Sequence, residues 1–304
     1  MRWTRIRFGL ALAAAGCALP AAAQPPAPAA LALERPDGSR IGYYLERRRA
    51  RGREPLLLML QGSGCDSVTR NARLPWMAAR LAPRHAVLTI DKYGVAPDAD
   101  GATCSAEHWR GNTLQQRVQD ALQVVAALRR ERWWNRELVL FGGSEGGAVA
   151  AMLAPLAPET RAVIIWSSGI GLPLGDMIRS ALPPPMAAEA VRVFAEARAN
   201  PTGDRQWAGA SYRWWADAVD LVPARALLQT PAPVLLIHGA RDASAPVASA
   251  RAARDLLAAG GKANAVYREY EGYDHFMVDV AGSDRRAEVL DAAALWLRRL
   301  PRRR

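Results

Sequence analysis

Ser144 stands in Gly142-Gly143-Ser144-Glu145-Gly146-Gly147, directly after the apolar run Glu137-Leu138-Val139-Leu140-Phe141 and directly before Ala148-Val149-Ala150-Ala151-Met152-Leu153. The expected succession is strand, sharp turn, helix. A serine raised on such a corner presents its hydroxyl with little crowding, and glycines at 142, 146 and 147 supply the room. The helix that begins after Ser144 aims its first N–H groups and the positive end of its dipole at the place where an oxyanion would form. On that reading the Glu145 N–H is the first donor. A glycine-rich loop that only packs a helix against a sheet carries similar letters, but the strand before and the helix after set this motif apart. The chemistry such a serine serves is attack on a carbonyl, and attack needs a general base.

Four histidines are available as that base. His85 heads an expected strand, and His238 closes another just before a turn. His108 lies in a long loop with Cys104 and is not dismissed on chemistry alone. His275 sits in Gly272-Tyr273-Asp274-His275-Phe276, a polar loop between the last strand and the last helix. That setting suits a ring that must accept a proton and return it.

The elements that must position these groups follow from periodicity. Leu31 to Arg35 and Arg40 to Arg47 flank Pro36-Asp37-Gly38, a hairpin signal. Leu56-Leu57-Leu58-Met59-Leu60 is a continuous apolar run, as expected of a strand buried on both faces, and it ends in Gln61-Gly62-Ser63-Gly64. A helix is expected from Asn71 to Leu81, a strand from His85 to Ile90 and a loop from Asp91 to Gly111. Thr113 to Arg130 reads as a helix carrying Leu114, Val118, Leu122, Val125 and Leu128 at helical spacing. Past the elbow, strands are expected at Ala162 to Trp166, Pro233 to Ile237 and Asn264 to Tyr270. Helices are expected from Pro246 to about Ala259 and from about Asp284 to Leu297.

Alternation of this kind predicts an α/β fold, a mostly parallel sheet of about eight strands with helices on both faces. Between Trp166 and Pro233, however, lie roughly sixty residues where a crossover needs far fewer. The excess, about residues 172–230, reads as a small helical insertion that caps the carboxyl ends of the strands. It contains Pro183-Pro184-Pro185, a helical Met186 to Ala197, and the aromatic group Trp207, Tyr212, Trp214 and Trp215. Those rings either pack the insertion onto the core or face a substrate.

Three stretches together resemble the α/β-hydrolase superfamily: Gly142-Gly143-Ser144-Glu145-Gly146, His238-Gly239-Ala240-Arg241-Asp242 and Gly272-Tyr273-Asp274-His275-Phe276. The resemblance covers about residues 30–300. It implies the α/β-hydrolase fold and a catalytic triad in the chain order Ser144, Asp242, His275. Asp274 is the rival orienting acid, although adjacent residues seldom face each other well enough for a carboxylate to hold the ring. Asp255 falls inside a helix, and Asp91 ends a different strand. Relatives often begin the loop after the strand at Leu56 to Leu60 with His-Gly; here Gln61 replaces the histidine. Gly62 keeps the turn and Ser63 matches the second oxyanion donor. The Glu145 side chain either contributes nothing beyond its backbone or contacts the cap or a cationic group of the substrate. The elbow is also similar to prolyl-oligopeptidase-type and dienelactone-hydrolase-like members.

The ends of the chain speak to compartment. Met1-Arg2-Trp3-Thr4-Arg5-Ile6-Arg7 is basic, Phe8 to Leu19 is apolar, and Ala21-Ala22-Ala23-Gln24 offers small residues for cleavage. Residues 1–23 therefore read as a secretory signal peptide, too short in its apolar run to span a membrane, and residues 24–29 as a flexible leader. Cys17 raises a lipoprotein alternative, weakened by an alanine three residues earlier. Export to the periplasm or beyond favours a bond between the remaining cysteines, Cys65 and Cys104. In the superfamily's strand order their loops are neighbours, so the bond would brace the oxyanion loop.

With 304 residues, half of them hydrophobic, the chain can bury one large core. Its formal net charge of +11 is diffuse apart from the tail Arg298-Arg299-Leu300-Pro301-Arg302-Arg303-Arg304. That tail reads as solvated or as touching anionic lipid, and nothing resembles a nucleic-acid stripe. Two cysteines without paired histidines are too few for a metal site, and no cofactor is expected. The function expected is an exported serine hydrolase of carboxylic esters acting on a small-molecule or short acyl or peptidyl substrate. The alternatives are a peptidase or amidase, and a non-catalytic binding protein of the same fold.

Overall fold

The computed structural model describes residues 29–301. The expected signal peptide with Cys17, the leader up to residue 28 and residues 302–304 of the basic tail lie outside the described residues. Strands β1 (Ala30–Glu34) and β2 (Arg40–Glu46) form the expected antiparallel hairpin, turning through Gly38 at φ +82°. Next come β3 (Glu54–Leu60), α1 (Arg73–Leu81), β4 (Ala86–Ile90), α2 (Ala106–Gly111), α3 (Leu114–Leu128), β5 (Trp134–Gly143), α4 (Glu145–Leu153) and β6 (Thr160–Trp166). An insertion follows, built of α5 (Leu174–Ala181), α6 (Pro184–Ala199), the small hairpin β7 (Gln206–Trp207) and β8 (Ala210–Ser211), and α7 (Tyr212–Ala218). The chain then returns to the sheet through β9 (Val234–Gly239), α8 (Val247–Ala259), β10 (Ala265–Tyr270) and α9 (Arg286–Arg299).

Eight strands form one sheet in the order β1-β2-β4-β3-β5-β6-β9-β10. Only the pairings of β2 are antiparallel; the rest are parallel. The apolar run of β3 explains its central place. Leu56, Leu58 and Leu60 pack with α3 and α4 on one face, while Leu57 and Met59 pack with α1 and α9 on the other. Strands β5 and β6 repeat the alternation, with Leu138, Leu140, Val163 and Ile165 on the first face and Val139, Phe141 and Ile164 on the second. A strand buried on both faces must be apolar at every position, so the sequence shows no period of two.

Short polar side chains cap two helices and set where they start. Helix α3 starts after Thr113, whose Oγ1 accepts from the Gln116 N–H at 3.0 Å. Helix α9 starts at Arg286, slightly later than expected and without a side-chain cap. The stretch from Asp91 to Gly111, expected to be all loop, contains α2, capped by the Ser105 Oγ that accepts from the His108 N–H at 2.9 Å.

The insertion is fastened to the sheet's helices. Asp217 of α7 accepts from the Leu114 and Gln115 N–H groups at 2.9 and 3.2 Å, capping α3 from outside its own segment. Within the insertion Phe194, Trp207, Trp214 and Trp215 form a ring cluster with centroids 4.9–6.0 Å apart.

Candidate active site

The corner at Ser144 is as tight as the glycines suggested. Ser144 takes φ +52° and ψ −126°, a conformation that non-glycine residues rarely adopt and that costs on the order of 1–3 kcal/mol. Its N–H donates to the Trp166 carbonyl at 2.9 Å, so β6 helps to hold it. A Cβ on Gly146 would stand 2.1 Å from the Leu60 carbonyl oxygen, and one on Gly142 would stand 2.2 Å from the Gly146 oxygen. Strand β3, strand β5 and helix α4 meet here at distances that only glycine permits.

Asp242 and His275, expected as acid and base, stand on the loops after β9 and β10. His275 Nδ1 lies 2.7 Å from Asp242 Oδ2. The other Asp242 oxygen accepts from the Ser244 and Ala245 N–H groups at 2.9 and 2.7 Å, which fixes the carboxylate within a buried loop. His238 also reaches this carboxylate, at 3.3 Å, while its Nε2 lies 2.7 Å from the Ala245 carbonyl. Burial lowers the His238 pKa, so it serves the loop as a neutral ring. Asp274, the rival acid, spends Oδ1 on the N–H groups of Phe276 and Val278 in its own turn. Asp91 is enclosed by Tyr44, Ser67 and the Val68 N–H, and Asp255 pairs with Arg254 at the surface. His85 is held neutral, its pKa lowered to about 4 chiefly by burial.

The loop after β3 lies against Ser144. A Cβ on Gly62 would be 3.2 Å from the Ser144 Cβ. Neither the Ser63 N–H nor the Glu145 N–H donates to any atom of the described residues. Two cavities meet at this point, sharing Ser63, Ser144 and Ser244. One, of about 470 Å³, runs between the elbow and the insertion and is lined by His108, Trp109, Leu174, Met177, Trp214 and Trp215 among others. The other, of about 400 Å³, is lined by His275, Phe276, Arg73 and Arg286.

Three fastenings hold the loop after β3. Cys65 and Cys104 are joined in a disulfide, with Cα atoms 5.5 Å apart. Lys92 is buried and donates to the Gly64 carbonyl at 2.8 Å; burial first, and then the nearby Arg117 charge, lower its pKa to about 8. Arg117, on α3, donates from Nη2 to the Gln61 carbonyl at 2.6 Å and from Nη1 to the Glu145 carboxylate at 2.5 Å. One guanidinium thus ties the loop before Ser63 to the residue after Ser144.

A profile of the Prolyl oligopeptidase family matches residues 96–300. The chain belongs to the prolyl oligopeptidase family. It is accordingly a serine hydrolase with the α/β-hydrolase fold. Solved structures agree on that fold. Est1E from Butyrivibrio proteoclasticus is 16% identical with a TM-score of 0.61, and the match covers 88% of this chain and 97% of that one. A putative dienelactone hydrolase from Klebsiella pneumoniae is 16% identical with a TM-score of 0.59, covering 89% and 98%. A puromycin-hydrolyzing peptidase of Mycobacterium tuberculosis is 18% identical with a TM-score of 0.61. That match covers 90% of this chain but 40% of the peptidase.

Sequence reasoning about this prolyl oligopeptidase family member singled out Ser144, Asp242, His275, Ser63 and Glu145; the structure pairs His275 with Asp242 and puts Ser144, Ser63 and His275 in the lining of one cavity, with Glu145 next to Ser144 in the chain. It missed the partner of the Glu145 side chain. That carboxylate accepts from Arg117, 28 residues earlier. The available signal was an arginine on the buried side of α3, one position before Val118. Sequence reasoning weighed His108 only as a base and did not single out Asn112; both line the larger cavity, His108 on α2 and Asn112 at its C-cap.

Proposed function

We propose that the chain is an exported hydrolase of carboxylic esters that works through an acyl-enzyme. Ser144 Oγ attacks the ester carbonyl while His275 takes its proton. Asp242 holds the imidazole through Nδ1 and stabilises the imidazolium that forms. The oxyanion is received by the Ser63 and Glu145 N–H groups, aided by the N-terminus of α4. His275 then protonates the departing alcohol, and water, deprotonated by the same ring, releases the acid. Every proton in this cycle passes through His275, and no cofactor enters it.

The observation that carries the reading is the strained Ser144 corner beside two unengaged N–H groups, with an Asp242–His275 pair on the adjoining loops. The preference for esters is supported by the likeness to Est1E, a protein also solved with ferulic acid bound. Family membership favours a second reading, cleavage of aminoacyl or peptidyl amides by the same residues. Export is supported by the sequence of residues 1–23 and by the disulfide.

The test is intact mass of the mature protein after a serine-directed fluorophosphonate, with Ser144→Ala alongside. One stoichiometric adduct on the parent and none on the variant is expected, and an unlabelled, folded parent would end the proposal. A panel of acyl esters and aminoacyl-nitroanilides then separates the two readings. Faster turnover of the anilides would hand the function to the peptidase reading. The same mass spectrum dates the export claim: a mature chain that still carries residues 1–23 contradicts it.

A further inference from the structure

Ser144 lines both cavities, but His275 lines the smaller one and not the larger. A leaving group that receives its proton from His275 must depart on the His275 side. The smaller cavity therefore takes the part of the substrate that leaves. This assignment rests on the acyl-transfer reading above.

The two linings differ in charge. The larger cavity has one carboxylate in its wall, Glu145, already engaged by Arg117, and the ring of His108, whose pKa burial lowers. The smaller has two arginines, Arg73 and Arg286, and among the described residues no carboxylate in its lining. Arg286 is committed to an ion pair with Asp284. Arg73 is not. Among the described residues no carboxylate forms an ion pair with it and its guanidinium donates no hydrogen bond; that group stands 5.9 Å from the centre of the Phe276 ring.

The carboxylates next to lining residues in the chain are already answered. Asp242 is held by His275 and by two N–H groups, and Asp274 by two N–H groups of its own turn. Asp284 has its pKa lowered first by the hydrogen bond from Arg286 and least by the charge of Arg73. Arg73 is thus an exposed cation beside the reacting centre with no anion of its own.

The surface next to it is apolar. Leu74, Met77 and Trp166 line the same cavity, and Phe276 is 53% exposed, with its ring edge-on to His275 at 5.1 Å. A guanidinium has five donors and no acceptor, in a planar fork that fits a carboxylate. An ammonium on the departing group would meet like charge from both arginines. A carboxylate on an apolar body satisfies ring and cation together.

We propose that the smaller cavity is a leaving-group subsite for an apolar body that carries a carboxylate, with Arg73 as the residue that selects it. The departing body is a hydroxy acid if the bond cut is an ester, and an amino acid if it is an amide.

The test compares 4-acetoxybenzoate with 4-acetoxybenzamide, whose departing phenols match in size and differ by one charge. Arg73→Met supplies the baseline for their inherent difference in reactivity. The wild-type kcat/KM ratio, anion over amide, is expected to exceed that baseline by about tenfold, and the excess to shrink as salt is raised. Arg73→Lys is expected to keep part of the excess. Arg73→Glu is expected to fall below the baseline, a reversal that general loosening of the fold would not produce. Calorimetry with Ser144→Ala reads the affinity of both intact esters without turnover, and tighter binding of the anion is expected. If that preference is found while wild type cleaves neither ester, the subsite stands and the hydrolytic reading falls. Cleavage of 4-acetamidobenzoate with the same dependence on Arg73 would support the subsite and assign it to a departing amino acid. The same ratio in wild type and Arg73→Met overturns the subsite, as do equal affinities of Ser144→Ala for the two esters. Should the Arg73 variants fail to fold, the salt dependence of the wild-type ratio and the Ser144→Ala affinities decide.

Discussion

Replacing Arg117 with methionine would remove the guanidinium and keep most of its hydrocarbon stem. Arg117 is 6% exposed, and its partner Glu145 has a side chain 14% exposed, so the change strands a carboxylate in a nearly dry site. Removing one member of a buried pair costs about 3–5 kcal/mol, because the survivor's charge is left without solvent or partner. That is a large part of the roughly 5–15 kcal/mol that holds a domain folded. For a domain of this size it corresponds to a loss of about 10 °C in Tm. The second bond, to the Gln61 carbonyl at 2.6 Å, bears on rate. Without it the loop bearing Ser63 loses a tether. Since losing an oxyanion donor outright costs about 100- to 1000-fold, partial displacement is expected to lower kcat by about 10- to 100-fold. Adding Glu145→Gln separates the two effects. The double variant Arg117→Met/Glu145→Gln no longer buries a bare charge and recovers most of the stability, yet kcat stays low because the Gln61 tether is still missing. Urea unfolding and ester turnover on the three proteins provide the measurements. A single variant within about 1 kcal/mol of wild type, or a double variant as unstable as the single, would refute the electrostatic argument. Wild-type kcat in Arg117→Met would refute the tether.

Three further outcomes are expected. Replacing Cys65 and Cys104 with alanine opens a loop of sequence separation 39 and is expected to cost up to about 4 kcal/mol, with a lower rate because Ser63 is two residues from Cys65; an unchanged Tm and rate would contradict the bracing role. Ser144→Gly relieves the positive φ and is expected to melt a few degrees above Ser144→Ala, both being inactive; equal melting of the two would mean that the corner stores no strain. Burial lowers the pKa of His85 to about 4, from the 6.5 of an exposed ring, so between those values the unfolded chain binds the extra proton. Its contribution is complete above about pH 6.5 and is lost as pH falls toward 4, by about 1.4 kcal/mol per pH unit at the steepest. His85→Gln should flatten the pH dependence of urea unfolding in that window, and an unaltered slope would exclude His85 as a source.

The parts of this site that were legible in sequence are those set by local chemistry. An apolar run, glycines and an alanine-rich segment specify the elbow whatever surrounds it, because each acts through its own backbone freedom and burial. Asp242 and His275 were legible for a similar reason, since each follows a strand in a short polar loop. What escaped depends on partners distant in sequence. Arg117 looks like any arginine of an amphipathic helix until β3 and α4 are packed against α3. Helix α2 escaped because its six residues carry no period; its one local mark is Ser105 as a cap with Glu107 in the first turn. The cavity wall was beyond reach, since it forms only where α7 of the insertion packs on α2 and α3. The strand order was similarly hidden, except where the superfamily resemblance supplied it.

The insertion also has a consequence for the order in which the molecule is made. Strands β3, β4, β5 and β6 pair with one another within residues 54–166, so the Ser144 corner is specified by one continuous stretch of chain. Asp242 and His275 arrive only when β9 pairs with β6 across everything between Trp166 and Val234. Closing so long a loop costs chain entropy before any contact rewards it. On that ground a refolding chain is expected to set the Ser144 corner before Asp242 and His275 reach it.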